Sequence, residues 1–525
     1  LDFHCGRQVK VLLSQKNNNM KIFTTNEIRQ IDKYTIENDG VSAMELIERV
    51  AEAVAAEIQA RWRPSKPVMV FAGPGNNGAD ALAVTRLLAE QGFRCHVYLF
   101  NIGGNKLSTE CAACRDMLRD MPQVGMTEVI DNCMMPDLQR NLLIIDGLFG
   151  SGLREPLKGG FSYLVQRINE AHATVVSIDI PSGLAGDWNP TLISRDVVHA
   201  TLTMAVQFPR LSFFISDNAE LIGEWKTVDI GLSKAATADI RSRFYLVEDI
   251  DVYRYLKPRK PFSTKANYGS AIIYAGSYGM MGAALLATRG ALRAGAGKVT
   301  VESPKCGFNI LQTAVPEALF SHNPGELVIE RIQPSRHYDA VAIGPGIGVR
   351  EQTIRALEEF LSTTKTPVIL DADALNCIAS KPSLLNLIPV LSIITPHAGE
   401  FDRLFGSHAG DEARLRKAVE MARQYNILIV LKSHYTALVR PDGKILFNSS
   451  GTPAMATCGS GDVLTGVIAG MLAQGYPPET AALIGVYVHG LAGQLAAEDH
   501  GTYGTTAGDI ADNVGRAIKA IMEPN

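Results

Sequence analysis

The sequence predicts an α/β protein built from two three-layer αβα domains. Two observations lead there. Short apolar runs without polar alternation recur between amphipathic stretches, and they do so in two separate series. Strands buried on both faces read as continuous apolar runs, and the helices between them supply the crossovers of a parallel sheet. Length agrees, because 525 residues leave room for two to four domains at roughly 100–200 residues each.

Taken in order, residues 1–19 hold the polar run Gln15-Lys-Asn-Asn-Asn19 and no sustained period; they read as a leader or appended extension ahead of Met20. Glu27 to Trp62 carries helical spacing through Ile28, Ile31, Leu46, Ile47, Val50, Val54 and Ile58, with a break at Asp39-Gly40. Buried-strand runs follow at 68–73, 95–100, 142–146, 174–179 and 200–206, which closes a first domain over 20–232. Residues 233–245 are polar and read as a linker. A second domain, 246–525, has runs at 269–276, 298–302, 339–344, 366–373, 391–396 and 427–432. A hairpin over 436–448 turns at Pro441-Asp442-Gly443, and the tail from Gly459 is helical.

Composition excludes several classes of function. A net charge of −4 from 50 basic and 54 acidic residues argues against a nucleic-acid binder. Eight cysteines are too few and too scattered for a disulfide scaffold. Cys111 and Cys114 form a CxxC pair, but the surrounding helical pattern reads them as two small apolar residues on one face. A long uncharged apolar run, Thr480–Ala497, contains Thr480, His489, Gln494 and three glycines, and reads as a buried globular helix. The expectation is a cytoplasmic homo-oligomer that engages small molecules, with no nucleic-acid or membrane partner. The basic cluster Lys257-Pro-Arg-Lys260 reads as a solvated connector.

Ligands of open parallel sheets bind beyond the carboxyl ends of the strands, so the loops there carry the chemistry. After the first strand comes Gly73-Pro-Gly-Asn-Asn-Gly-Ala-Asp80, where bare backbone and a helix N-terminus favour anionic oxygen. Asp146 and Asp179 each end an apolar run, at the head of Asp146-Gly-Leu-Phe-Gly-Ser-Gly-Leu-Arg-Glu-Pro156 and Asp179-Ile-Pro-Ser-Gly183. Each either ties down its own loop or serves a ligand, and together with Asn76 and Asn77 they suggest one pocket.

In the second domain, Gly459-Ser-Gly-Asp462 places backbone amides at the mouth of a long helix, an anion hole with Asp462 at its edge. Asp462 there is either a general base or a helix cap. His397, in a strand-end TPHAGEF loop, is either a structural histidine or a ligand contact. Asp371 and Asp373 could approach a magnesium-nucleotide complex, or Asp373 could cap the helix that follows it.

FAGPGNNGAD, DGLFGSGLREP and SIDIPSGL, with the opening TTNEIRQIDKYTIENDGVSAMELIERVA, closely resemble the NAD(P)H-hydrate epimerase domain over about 20–231. The resemblance implies a Rossmann-like fold and a potassium ion held by Asn77, Asp146 and Ser182. It also implies hydrate contacts from Asn76, Asn77, Gly78, Ala79, Asp80, Gly150, Ser151, Gly152, Leu153, Arg154, Glu155, Pro156 and Asp179, with Asp179 as the catalytic group. One departure stands out: the family's NNGGDG is NNGADA here. Ala79 and Ala81 add methyls where a close backbone approach or a positive φ would exclude them.

The GSGD turn before a helical tail resembles the ribokinase-like superfamily. Within it, STKANYGSAIIYAGSYGMMGAALLATRGALRAGAGKVTV, AIGPGIG, LDADAL, TPHAGEF and VLKSHYT are similar to the ADP-dependent NAD(P)H-hydrate dehydratases, over about 246–525. That likeness implies hydrate contacts from Ala283, Gly346, His397 and Asp462, with Asp462 catalytic. Lys432, Ser433, His434, Tyr435, Thr436 and Gly461 would hold the nucleotide, with magnesium accompanying ADP. The family's KGxxT has Ser433 in place of its glycine here. Both domains in this order resemble the bifunctional NAD(P)H-hydrate repair enzymes, which implies epimerisation of the R and S hydrates at C6. It further implies ADP-driven dehydration of the S form to NAD(P)H, AMP and phosphate. A small-molecule kinase of vitamin-precursor type, with a non-catalytic N-terminal binding module, is the rival reading.

Overall fold

The computed structural model describes residues 20–104, 106–131, 136–153 and 155–523. The extension read at 1–19 and the substrate contact read at Arg154 lie outside them. The chain divides into two compact units, one of Ile22–Ser242 and one of the residues from Arg243 onward together with Met20 and Lys21, which the sequence reading gives to the first domain.

The first unit opens with two helices, Thr25–Asn38 and Ala43–Arg61, each started by a reciprocal capping box, Thr24 with Glu27 and Ser42 with Glu45. Gly40 lies between them at φ 71°, the predicted break. Seven strands form one wholly parallel sheet in the order Val124–Val129, Cys95–Phe100, Val68–Ala72, Leu143–Gly147, Thr174–Ile178, Leu202–Val206 and Glu224–Val228. Two apolar clusters, around Val50, Val70 and Leu82 and around Phe71, Ile144 and Val165, complete the layers. Helix Thr109–Arg119 buries Cys111 and Cys114 as free thiols. Burial pushes them up to about 12 and about 11, which leaves them protonated and unreactive.

The second unit holds an eleven-stranded sheet. Its order is Met20–Ile22, Phe244–Val247, Ile445–Asn448, Ala437–Val439, Leu428–Leu431, Ile393–Ile394, Ile369–Leu370, Ala340–Ile343, Ser270–Tyr274, Lys298–Ser303 and Leu319–His322. Ala437–Val439 runs antiparallel to both its neighbours, as the hairpin reading requires, and Gly443 turns at φ 84°. Phe244–Val247 falls within the stretch read as polar linker and beginning of the second domain; it pairs in parallel with Ile445–Asn448. The tail forms helices Ser460–Ala473, Pro478–Gly504 and Ala507–Met522. Pro478–Gly504 is long and apolar enough to cross a bilayer, yet 72% of its most apolar window is buried inside the protein, as a core helix.

Candidate active sites

In the first unit the strand-end loops surround a cavity of about 920 Å³. Its wall includes Asn76, Asn77, Asp80, Gly150, Ser151, Gly152, Leu153, Glu155, Pro156 and Asp179, so the structure brings most of the predicted contacts together. Helix Asn76–Glu90 starts directly after the glycine turn. The turn closes this tightly because position 78 has no side chain: a Cβ there would lie 1.8 Å from the Gly73 carbonyl oxygen. Gly78 and Ala79 are buried behind the cavity and do not line it.

The concern over NNGADA is corrected. Ala79 and Ala81 lie in the regular helix at 0% exposure, neither has a positive φ, and their methyls fill the core. Gly147 accommodates Ala81, since a Cβ at 147 would come 2.4 Å from that methyl.

Asp179 sits just past its strand at φ 66°, a conformation rare outside glycine and one that aims its carboxylate at the cavity. Its Oδ1 accepts from Arg210 Nε at 3.1 Å and also from Arg210 Nη2; its Oδ2 accepts from the Ser151 amide at 2.9 Å. Arg210 is 3% exposed, and its Nη1 has no partner among the described residues.

Both polar atoms of the Asn77 carboxamide are likewise buried and unpartnered. Asp146, beneath the cavity, accepts from Ser177 Oγ and the Ser182 amide at 2.8 Å each and from Ser182 Oγ at 2.5 Å. Burial still raises its carboxyl above the ordinary range. An orphaned amide oxygen, a carboxylate and a hydroxyl are hard donors, so the residues fit a hard cation such as potassium.

Sequence reading missed two cavity residues. Asp32 comes from helix Thr25–Asn38, and burial pushes its carboxyl up to about 6 although Arg210 opposes the shift. Arg210 follows the Leu202–Val206 strand. The usable signals were a carboxylate four residues after buried Ile28 and an arginine in a strand-end loop. Burial, then the charges of Asp179 and Asp32, hold Asp80 well above the usual carboxylate range.

In the second unit a cavity of about 900 Å³ is lined by His397, Lys432, Ser433, His434, Thr436, Gly459, Gly461 and Asp462. A parallel bridge between His397 and Lys432 brings the TPHAGEF and VLKSHYT loops side by side. Gly459, at φ 91°, caps helix Ser460–Ala473. Asp462 stands in its first turn without accepting a cap hydrogen bond, and burial, reinforced by Asp371, pushes it up to about 7.

Lys432 Nζ lies 3.0 Å from Asp371 Oδ1 and 3.7 Å from Glu400 Oε2. A Cβ on Gly461 would be 3.3 Å from that ammonium, so the charge sits directly against the glycine turn. Asp371 also accepts from Thr465 Oγ1 at 2.7 Å, which fixes it to the same helix. Asp373 accepts from the Gly348 amide at 2.9 Å and pins that loop; it does not line the cavity.

His397 caps helix Ala398–Phe405. Its Nδ1 accepts from the Gly399 and Glu400 amides at 3.0 and 3.3 Å, which places the proton of the neutral ring on Nε2. His397 therefore holds its loop and faces the cavity at once. Ala283 and Gly346 lie against each other but outside this wall, as does Tyr435. Sequence reading missed Glu400 and buried His489; the latter meets Ser460 Oγ at 3.3 Å, and burial lowers it to about 4.

Comparison with known proteins gives two family matches. A model described as NAD(P)H-hydrate dehydratase matches residues 271–516, and one described as YjeF-related protein N-terminus matches 43–212. A bifunctional NAD(P)H-hydrate repair enzyme of Thermofilum pendens is 33% identical over 519 residues, covering 96% of this chain and 97% of that protein. One of Moorella thermoacetica is 31% identical over 522 residues, covering 96% and 98%. Among solved structures, a Bacillus subtilis ADP/ATP-dependent NAD(P)H-hydrate dehydratase co-crystallised with ATP and Mg2+ is 34% identical. It covers 52% of this chain and 97% of its own, with a TM-score of 0.47.

Proposed function

The chain belongs to the bifunctional NAD(P)H-hydrate repair enzymes, and from that premise we propose how its two sites divide the work. The enzyme repairs hydrated NADH and NADPH. It is an epimerase for the R and S hydrates and a dehydratase that returns the S form to NAD(P)H at the expense of ADP.

Dehydration belongs to the second unit. Hydroxide leaves poorly at neutral pH, so the C6 hydroxyl must first become a phosphate ester. Asp462 takes the hydroxyl proton as the oxygen attacks the β-phosphoryl group of ADP, releasing AMP. The Gly459–Gly461 amides and the Lys432 ammonium stabilise charge on the phosphoryl oxygens. The ring nitrogen then expels phosphate from C6, and loss of a proton from C5 restores the dihydronicotinamide. Magnesium, when bound with the nucleotide, would neutralise phosphate charge. His397 orients the hydrate from the neighbouring loop, Ser433, His434 and Thr436 flank the nucleotide, and Ala283 and Gly346 meet a more distant part of the hydrate.

Epimerisation belongs to the first unit, with Asp179, ion-paired to Arg210, as its base. Potassium on Asn77, Asp146 and Ser182 would fix the loops that frame the hydrate; the orphaned Asn77 amide supports this. A diffusible dinucleotide substrate supports a cytoplasmic location. Exposed Phe308, Ile310 and Leu319, beside the outermost strand of the larger sheet, support a homo-oligomer.

The observation that carries the reading is Asp462, which has no hydrogen-bond or ion-pair partner among the described residues and faces the cavity beside Lys432 and the glycine turn. Incubation with ADP and chemically hydrated NADH tests it: restored NADH with AMP and phosphate supports it, and a stable phosphorylated product contradicts it.

A further inference from the structure

The first cavity holds more acid–base apparatus than one base requires. Besides exposed Glu155, which pairs with Lys158, three carboxyl groups face it from three elements: Asp32 from helix Thr25–Asn38, Asp80 from helix Asn76–Glu90 and Asp179 from the end of the Thr174–Ile178 strand. Of these three, Asp179 alone forms an ion pair among the described residues, with Arg210. Among the described residues the Asp32 carboxyl has no hydrogen-bond or ion-pair partner, so it is left open to the cavity. Inversion at C6 of a cyclic hemiaminal needs two proton-handling groups, because the hydroxyl loses a proton while the ring nitrogen gains one.

We propose that Asp32 is the second catalytic residue of the epimerase, the acid that protonates the ring nitrogen N1 while Asp179 takes the C6 hydroxyl proton. This rests on reading the cavity as the epimerase site. As the hydroxyl proton passes to Asp179, the C6–O bond becomes a carbonyl, and the C6–N1 bond breaks with its electron pair remaining on N1. That nitrogen takes its proton from Asp32. Rotation about C5–C6 presents the opposite face of the aldehyde, and N1 attacks it. The N1 proton returns to Asp32, and Asp179 returns its proton to oxygen. Atoms and electrons balance without any co-reactant.

The environments separate the two roles. Asp179 accepts from both Arg210 and the Ser151 amide, which fix its carboxylate in the cavity wall. Burial pushes Asp32 up to about 6, so its acid form dominates below that pH and a minor fraction remains at neutrality. The charged and titratable groups facing it are Arg29 on its own helix, Asp80, Glu155, Lys158, Asp179 and Arg210. Burial, then the charges of Asp179 and Asp32, hold the Asp80 carboxyl well above its usual range.

The test follows conversion of pure R hydrate to the S form by the full chain without ADP, which leaves the dehydratase idle. Wild type, Asp32→Asn and Asp32→Glu are compared, with hydrate affinity and thermal unfolding recorded for each. Expected is a loss in kcat of about 100-fold or more for Asp32→Asn, with affinity and melting little changed. Asp32→Glu should recover part of the rate, and the wild-type rate should fall as pH rises through about 6, a limb that Asp32→Asn lacks. An active wild type together with a folded Asp32→Asn that turns over normally overturns the role given to Asp32 alone. If Asp32→Asn is slow but Asp32→Glu is equally slow and the pH limb persists in Asp32→Asn, the role is overturned as well. A wild type that binds hydrate without epimerising it overturns the site reading, and this proposal with it.

Discussion

Lys432 reaches Asp371 across the second sheet, Nζ to Oδ1 3.0 Å, with both groups beneath the glycine turn that starts the Ser460–Ala473 helix. The pair is separated by 61 residues and meets because the Leu428–Leu431 and Ile369–Leu370 strands both flank Ile393–Ile394. It places a fixed cation beside the amides of the turn, and the Asp371 carboxylate disfavours ionisation of Asp462.

Asp462→Asn keeps the shape of the turn and removes the base. Dehydratase turnover should fall by about 100-fold or more while ADP binding, followed by calorimetry, stays within a few-fold. Near-normal turnover in this variant would remove Asp462 from the chemistry.

The same carboxyl sets a pH dependence. A general base works ionised, and burial with Asp371 nearby holds Asp462 at about 7. Dehydratase kcat/KM should therefore rise with pH through about 7 and fall below it. A profile that is flat across neutral pH contradicts the assignment.

Arg210→Met tests the support of Asp179. It leaves a mostly buried carboxylate without its partner, a loss of about 3–5 kcal/mol where both members are buried. Asp179 also holds the Ser151 amide and borders the cavity, which shares out that cost. Melting of the first unit should fall clearly and epimerisation should be lost. Unchanged melting would show that the ion pair carries little weight.

Ala79→Gly restores the family's commoner residue. It removes a fully buried methyl from a helix interior, so stability should drop by about 1 kcal/mol in denaturant unfolding. No gain in epimerase rate is expected. A faster enzyme would show that the methyl obstructs the site.

Strands buried on both faces were legible as apolar runs, whereas edge strands were not. Glu224–Val228 and Val124–Val129 each end the first sheet and carry exposed or half-buried polar residues, which breaks the apolar run. Phe244–Val247 is four residues long and follows a polar stretch, so it read as part of a connection. The strand-end loops announced themselves through their glycines and aspartates. Asp32 did not, because a carboxylate on an amphipathic helix looks like its solvent face. Neither did the Lys432–Asp371 pair, which exists only once the strands are in order.

Phosphoryl transfer to the hydrate is tested most directly by giving the full chain ADP and the S hydrate of NADH and following the dihydronicotinamide absorbance together with AMP and phosphate. Absorbance should return with one AMP and one phosphate per molecule restored, and Asp462→Asn should slow all three together by about 100-fold or more. Accumulation of a stable phosphorylated product, with no recovery of absorbance, would contradict repair by dehydration.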